Sequence, residues 1–443
     1  MRRFLLSVLA YLARAVVRRQ RPTIVGVTGS VGKTSTRDAI RVVLAADRNV
    51  RSSPKNYNNE IGLPIAIIGG DAPGRSPFRW CAAVIRGIAL ACVRTLRYPD
   101  VLVLEYGADH PGDIAYLTRI AGPSVAVVTE VGVAHTEFFR SVDRVIAEKR
   151  RLITSLPRDG VAVLNRDAED VFAMRDRTRA RVVTYGFHED AEVRGLEYQV
   201  THGHAELVNQ AISESGRNTA TPPSPMGIAF KVSAGGSTVP IHLTGCLGRG
   251  HASAALAATA VGLASGMHLV EIAHALAAYE SPPGRMRLLP GVKRTTILDD
   301  TYNSSPLAAT VAVDALADVT AGRKIAVLGD MLELGPLTKH VHEHVGELIA
   351  ARGIDILVTV GEASRSTAAS ARAAGLPADR VIEFHVALEA GRFVQDLLQP
   401  GDVVLVKGSQ GMRMERVVKE LMAEPLRAEE VLCRQDAEWL TRA

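Results

Sequence analysis

Residues 23–46 constrain the fold more than any other stretch. A β-branched run, TIVGV (23–27), leads into Gly26-Val27-Thr28-Gly29-Ser30-Val31-Gly32-Lys33-Thr34-Ser35, and a helical stretch from Lys33 to Ala46 follows. Strand, glycine loop and helix in that order make a phosphate-binding unit. Glycines let the backbone approach phosphate oxygens, while loop N–H groups and the helix N-terminus supply positive potential. Lys33 can reach terminal phosphates, and Thr34 offers a hydroxyl to Mg²⁺. The strict pattern would place Gly at Val27, so the loop is a variant. Nucleotide contacts are expected from Gly29, Ser30, Val31, Gly32, Lys33, Thr34 and Ser35.

The rest of the chain repeats the strand–helix alternation. VLVL (101–104), VAVV (125–128) and VAVL (161–164) are short apolar runs with helical stretches between them, the pattern of a mostly parallel sheet covered on both faces. Short strands with turns fill 181–245, with a Ser/Thr/Pro/Asn-rich loop at 213–224, and an Ala-rich helix follows Gly248. Beyond a linker, SPPG (281–284), come TTIL, KIAVLGD, DILVTVG, RVIEF and DVVLVKG, again separated by helical stretches. The expected architecture is α/β: a central ATPase domain with a phosphate loop and a mostly parallel sheet, then a smaller Rossmann-like α/β domain. The boundaries read 1–22 for a basic amphipathic N-terminal helix, 23–280, the linker 281–284, and 285–443.

Charge is local. The whole chain carries +5, but residues 1–21 hold six Arg and no acid, and without them 46 basic residues face 47 acidic ones. Residues 72–99 hold five more Arg and no acid. A mildly acidic body argues against a nucleic-acid surface and for a local anionic contact. The apolar run near the N-terminus is shorter than the ~20 residues that span a bilayer, and no small-residue cleavage site follows it. It reads as a helix lying on a membrane surface or on the protein's own body. On helical spacing, Arg79, Arg86, Arg94 and Arg97 share one arc, so residues 2–21 and 79–97 are two basic segments expected either to contact the inner face of the membrane peripherally or to pack on the catalytic domain with their arginines solvated. Four scattered Cys form no CxxC pair, which fits a reducing cytoplasm.

Eight motifs in one order resemble the Mur ligase family and its folylpolyglutamate synthase relatives, most closely the MurF type. They are the TG[ST]xGKT loop, KNYNNEIGLP (55–64), EYGADHPGDIAYL (105–117), VGVAHTEFF (131–139), GRMR (284–287), DDTYNSSP (299–306), LGDMLELG (328–335) and VKGSQGMRME (407–415). The resemblance implies an ATP-dependent carboxylate–amine ligase of cell-wall precursor synthesis. ATP would phosphorylate a peptide acceptor's carboxylate, and a D-Ala-D-Ala-like amine would attack the acyl phosphate. Two Mg²⁺ ions are implied, with Thr34 and Glu105 at the first and His135 at the second. Lys149, in AEKRRL, matches the lysine that these ligases carry as a carbamate, which would make it an oxygen ligand to Mg²⁺. Arg285 matches a residue that reaches ATP phosphate when domains close, Asp300 a ribose-side contact, and Asn303 a polar position facing the cleft. Asp330 and Glu333 follow a strand end, where the amine would dock. The protein is expected to be a monomer.

Taken singly, these residues have plainer readings. Glu105 could be a cap or an ion-pair partner, His135 a solvated loop residue, Lys149 a solvated base beside Arg150 and Arg151, and Asp330 a helix cap. Two departures from the pattern stand out. MurF-type ligases hold the UDP-sugar in a domain ahead of the phosphate loop, whereas 22 residues precede Thr23 here, so those contacts do not carry over. The family's GRHNxxN reads GRGHASA (248–254), with His251 on the nucleotide side. Other readings are a related ligase adding another amino acid or polyglutamate, a non-catalytic nucleotide-binding scaffold, and a GTPase switch. No NKxD-type guanine motif supports the last.

Overall fold

The computed structural model describes residues 2–53, 57–70, 74, 76–95, 97–132, 141–203 and 224–441. They fall into two compact units: Met1–Leu196 with Phe230–Ile241 and Ala252–Tyr279, and Glu197–Ala229 with His242–His251 and Glu280–Ala443.

The first unit is built on β1 (Thr23–Thr28), β2 (Val50–Ser52), β3 (Val101–Glu105), β4 (Val125–Val128), β5 (Val161–Asn165) and β6 (Arg181–Gly186). Their order is β2-β3-β1-β4-β5-β6, all parallel, and β7 (Val193–His202), β8 (Pro225–Ala234) and β9 (Ser237–Thr244) extend the sheet. Strands β3 and β4 are buried at every position, as continuous apolar runs in a sheet covered on both faces require. The chain leaves β1 toward β3 on one side and β4 on the other. Such a switch point opens a crevice at the carboxyl ends of the strands, where α/β sheets bind ligands.

In the second unit the order is β10-β11-β15-β12-β13-β14, from β10 (Arg287–Gly291), β11 (Thr295–Asp300), β12 (Lys324–Gly329), β13 (Ile356–Val360), β14 (Val381–Phe384) and β15 (Val403–Lys407). Only β10 is antiparallel. The expected α/β class, with two mostly parallel sheets, is what the chain forms.

The N-terminal helix α1 (Arg2–Gln20) packs on the first unit beside α3 (Gly62–Ile68), α4 (Pro77–Cys92) and α5 (Asp113–Ile120). Leu9, Leu12, Ala13 and Val16 recur at helical spacing and are buried, each larger one contributing roughly 1.5–3 kcal/mol. Of the two surfaces on which this helix could lie, its apolar stripe uses the protein's own body. Gly87 marks the crossing of α1 and α4: a Cβ there would stand 3.2 Å from Leu12 Cδ1 and 3.3 Å from Ile68 Cδ1.

Helical spacing places Arg79 to Arg97 on one arc, but α4 covers less. Ser76 caps its start by accepting from Arg79 N, Pro77 opens the first turn, and the helix ends at Cys92, with Val93 extended. Arg94 and Arg97 therefore lie beyond the helix and do not continue its basic face.

Candidate active site

Steric and hydrogen-bond constraints from the segment after β4 shape the loop between β1 and α2 (Lys33–Ala45). A Cβ at Gly29 would stand 1.9 Å from Thr129 Oγ1, so no side chain fits there. Gly32, at the start of α2, has φ 83°, a left-handed conformation that glycine adopts without cost. Thr129 Oγ1 donates to the Val31 carbonyl at 2.6 Å, and Ser30 N donates to the Glu130 carbonyl at 2.6 Å. Among the described residues no side chain caps α2, and its first turn holds no acid, so its leading amides present the positive end of the helix dipole. Lys33 Nζ curls over the loop, donating to the carbonyls of Gly29 (2.8 Å) and Ser30 (3.2 Å). Thr34 and Ser35 are buried at the base of this turn.

Register brings the metal-binding candidates to the loop. Val27 pairs with Glu105 in the β1–β3 ladder, which sets the last residue of β3 beside the phosphate loop. Glu105 is 2% exposed; its Oε2 accepts from Thr34 Oγ1 at 3.2 Å and its Oε1 from Asn58 Nδ2 at 3.1 Å. Arg37 NH1 lies 3.6 Å from Oε2. Two neutral donors and one guanidinium thus hold this buried carboxylate, whose hard oxygens suit a hard cation.

Lys149 sits on the buried side of the helix Val142–Thr154 and is 3% exposed. Burial, then the Lys33 ammonium, pull its pKa from 10.5 down to about 7, opposed by Asp109, Glu105 and Glu148. The solvated-base reading does not describe this side chain. Its neighbour Glu148 accepts from Ile114 N (2.8 Å) and Gly112 N (3.0 Å), so that carboxylate holds the start of α5. His135 lies in 133–140, outside the described residues.

The NNEIG motif by itself gives Asn58 no role, and no motif singles out Arg37. The position of Arg37, one helical turn after Thr34, was the available signal.

The second unit gathers the remaining candidates around the ends of β11 and β15. Asp300 and Lys407 are register partners, with Lys407 Nζ 2.6 Å from Asp300 Oδ2; the same ammonium donates to the Asn303 carbonyl at 2.9 Å. Asp300 Oδ1 accepts from Met286 N at 3.2 Å. Asn303 is exposed, and its Oδ1 accepts from Gln410 N at 3.4 Å. The Arg285 guanidinium stacks 4.0 Å from the centre of the Tyr302 ring, and its buried Nε has no hydrogen-bond partner among the described residues. His251 is 3% exposed; its Nε2 meets the Arg285 carbonyl at 2.8 Å, which Ser281 Oγ also reaches at 2.5 Å. Burial pushes its imidazole down to about 4, so the ring is neutral and its Nε2–H donates to that carbonyl. Asp330 accepts from the amides of Ala363 (3.2 Å) and Ser364 (2.8 Å), just ahead of the helix Arg365–Ala373. That is a capping arrangement.

Comparison with known proteins adds the following. Residues 87–262 match the Mur ligase middle domain, and residues 284–410 match the domain described as "Mur ligase, glutamate ligase domain". The UDP-N-acetylmuramoyl-tripeptide–D-alanyl-D-alanine ligase of Mycobacterium leprae is 32% identical over 445 residues, covering 95% of this chain and 78% of the relative. The ligase of the same name from Bacillus subtilis is 28% identical, covering 95% and 80%. Among solved structures, the MurF ligase of Thermotoga maritima in complex with ADP superposes with a TM-score of 0.75 at 28% identity, covering 94% of this chain and 83% of that one.

Proposed function

Because this chain belongs to the Mur ligase family, we propose that it joins the carboxylate of a peptide acceptor to a D-Ala-D-Ala-like amine, converting ATP to ADP and phosphate. It is an ATP-dependent ligase of peptidoglycan-precursor synthesis. The observation that carries the mechanism is the β1–β3 register, which sets Glu105 against Thr34 at the foot of the phosphate loop.

A carboxylate oxygen of the acceptor attacks the γ-phosphorus, and the bond to the β-phosphate oxygen breaks. The amine then attacks the acyl carbon, phosphate leaves, and the nitrogen loses a proton as the amide forms. Lys33 and the amides that open α2 hold the transferring phosphoryl group, balancing charge that grows between two anions. Mg²⁺, when bound, would supply Lewis-acid stabilisation of those phosphate oxygens. Thr34 and Glu105 fit a first ion: the Thr34 hydroxyl donates a hydrogen bond to Glu105 and keeps lone pairs free, and Glu105 offers hard carboxylate oxygens. By resemblance, His135 serves a second ion.

Lys149 is assigned as a carbamate. A neutral amine adds to CO₂ and releases a proton, and a lysine held near 7 supplies that neutral form around neutral pH. The product exchanges repulsion between Lys33 and a second ammonium for attraction to an anion. Arg285, Asp300, Asn303 and His251 are assigned to the nucleotide and cleft side of the second unit. Arg285 and Asp300 would touch ATP, while His251, tied to the Arg285 carbonyl, would hold the backbone of that arginine. The enzyme is placed in the cytoplasm as a monomer, in peripheral contact with the inner face of the membrane through 2–21 and 79–97.

ADP release by the purified protein over a matrix of acceptors and amines tests the reading. Release that requires both a muramoyl-type peptide and D-Ala-D-Ala supports it. ADP release that no acceptor–amine pair stimulates overturns it.

A further inference from the structure

The α4 helix carries more apolar surface than its contact with the body uses. Its apolar residues recur at 78, 81, 82, 85, 88, 89 and 92, one stripe at helical spacing, and every one of these positions is exposed. Phe78 is 87% exposed and Ile85 66%, and Val93 continues the stripe just past the helix. Its opposite side packs on the body through the partly buried Trp80, Ala83, Val84, Leu90 and Ala91, with Gly87 fully buried among them. Scattered apolar side chains on a surface need no explanation, but a contiguous stripe along a whole helix marks a contact surface.

Charge selects the occupant. Arg79 and Arg86 flank the stripe, and Arg94 and Arg97 follow it, all exposed. On the neighbouring helix α1, a groove of about 530 Å³ is lined by Tyr11, Arg14, Ala15, Arg18 and Arg19, with Ala91 of α4 on its far side. Neither 2–21 nor 72–99 contains an Asp or Glu. Two copies of this chain meeting through the surface would press guanidinium against guanidinium. An anionic bilayer offers the complementary pair: acyl chains for the stripe and phosphates for the arginines. Among the described residues no helix is long and apolar enough to cross a membrane, so the contact lies in the plane of the interface.

We propose that α4 inserts its exposed stripe (Phe78, Ile85 and Ile88) into the interface of an anionic bilayer while the α1 groove engages lipid phosphate. The α1 helix, whose apolar face is spent on the protein's own core, acts as the scaffold and not as the anchor. This rests on the peripheral-contact reading above and names the element that makes the contact.

Flotation of the full-length protein with vesicles tests it, using phosphatidylcholine alone and phosphatidylcholine mixed with phosphatidylglycerol. An environment-sensitive maleimide on the exposed thiols of Cys81 and Cys92 reports insertion. Cys246 and Cys433, whose thiols burial pushes up to about 12, react slowly by comparison. The wild type should float only with the phosphatidylglycerol mixture, with a blue-shifted label, and salt should weaken binding. Phe78→Asp/Ile85→Asp should cut the bound fraction about tenfold, with thermal melting and ADP release unchanged. Equal flotation of that variant overturns the α4 assignment while leaving peripheral contact through the arginines in place. Equal binding to phosphatidylcholine alone overturns the role of charge. A wild type that binds neither vesicle removes both readings. A dimer that the double variant dissolves, with no vesicle binding, makes the stripe a copy–copy interface and overturns the proposal.

Discussion

The hydroxyl of Thr34 donates to the carboxylate of Glu105 across 3.2 Å, although 71 residues separate them in the chain. Strand register, not sequence proximity, makes the pair. The other oxygen of Glu105 is fixed by Asn58, so the carboxylate has one orientation. Glu105→Gln should lower ADP release by about 100-fold or more, the usual scale for a lost transition-state charge contact. Asn58→Ala removes an orienting donor and not a ligand. It should raise the Mg²⁺ concentration for half-maximal rate by roughly 10- to 100-fold. Titrating the rate against Mg²⁺ checks both, and an unchanged Mg²⁺ dependence in Asn58→Ala would remove its orienting role.

Lys33→Ala keeps the loop backbone, because Gly29, Gly32 and the Thr129 bonds hold it in place. The variant should melt like the wild type yet lose ~10²-fold or more in ligation. ADP release and circular dichroism on one sample separate the two effects. Wild-type turnover would contradict the ligase mechanism.

Lys149 makes a prediction with a sign. Its folded pKa of about 7 lies below the ordinary 10.5, so between those values the unfolded chain holds a proton that the folded chain lacks. Stability therefore rises with pH across that window, and the cost is complete below about 7. In CO₂-free buffer, Lys149→Met should be more stable than the wild type at pH 7, by on the order of a few kcal/mol, and no more stable near pH 10.5. Bicarbonate should narrow the gap at pH 7, because a carbamate removes the buried ammonium. Urea midpoints at the two pH values, with and without bicarbonate, decide it. In activity, Lys149→Ala should fall and recover partly with a short-chain carboxylate but not with bicarbonate.

Much of the site was legible because its chemistry sits in contiguous motifs. The phosphate loop, the acid that ends β3 and the strand-rich second unit each announce themselves over a few residues. Where partners came from distant segments, sequence was silent. The hold of Asn58 on Glu105 needs β3 beside β1, and the capping bond from Asp330 needs β12 beside β13. The end of α4 at Cys92 was hidden because helical spacing alone continues to Arg97; the break comes where Val93 turns extended. The burial of Lys149 was invisible behind Arg150 and Arg151, since composition averages over a helix that hides one side.

His251 gives the last prediction. Its imidazole is held at about 4, against an ordinary 6.5, mainly by burial, and it donates to the Arg285 carbonyl. As pH falls below about 6.5 the unfolded chain takes up a proton that the folded one refuses. Stability is therefore lost from 6.5 down to about 4 and then levels off, by up to roughly 3 kcal/mol. Nearby Asp299 works in the opposite direction. Burial pushes its carboxyl up from 3.8 to about 6, so the folded state binds the extra proton and gains stability as pH falls through that range. The two partly cancel in the wild type, and comparison with a variant separates them. His251→Gln places an amide N–H where Nε2 stands, for the Arg285 carbonyl, and has no titration of its own. Between pH 6.5 and 4 it should become progressively more stable relative to the wild type, with no widening above pH 7. Urea unfolding at pH 7.5, 6, 5 and 4 gives the difference curve. A flat difference would mean that the imidazole is not held neutral in the folded protein.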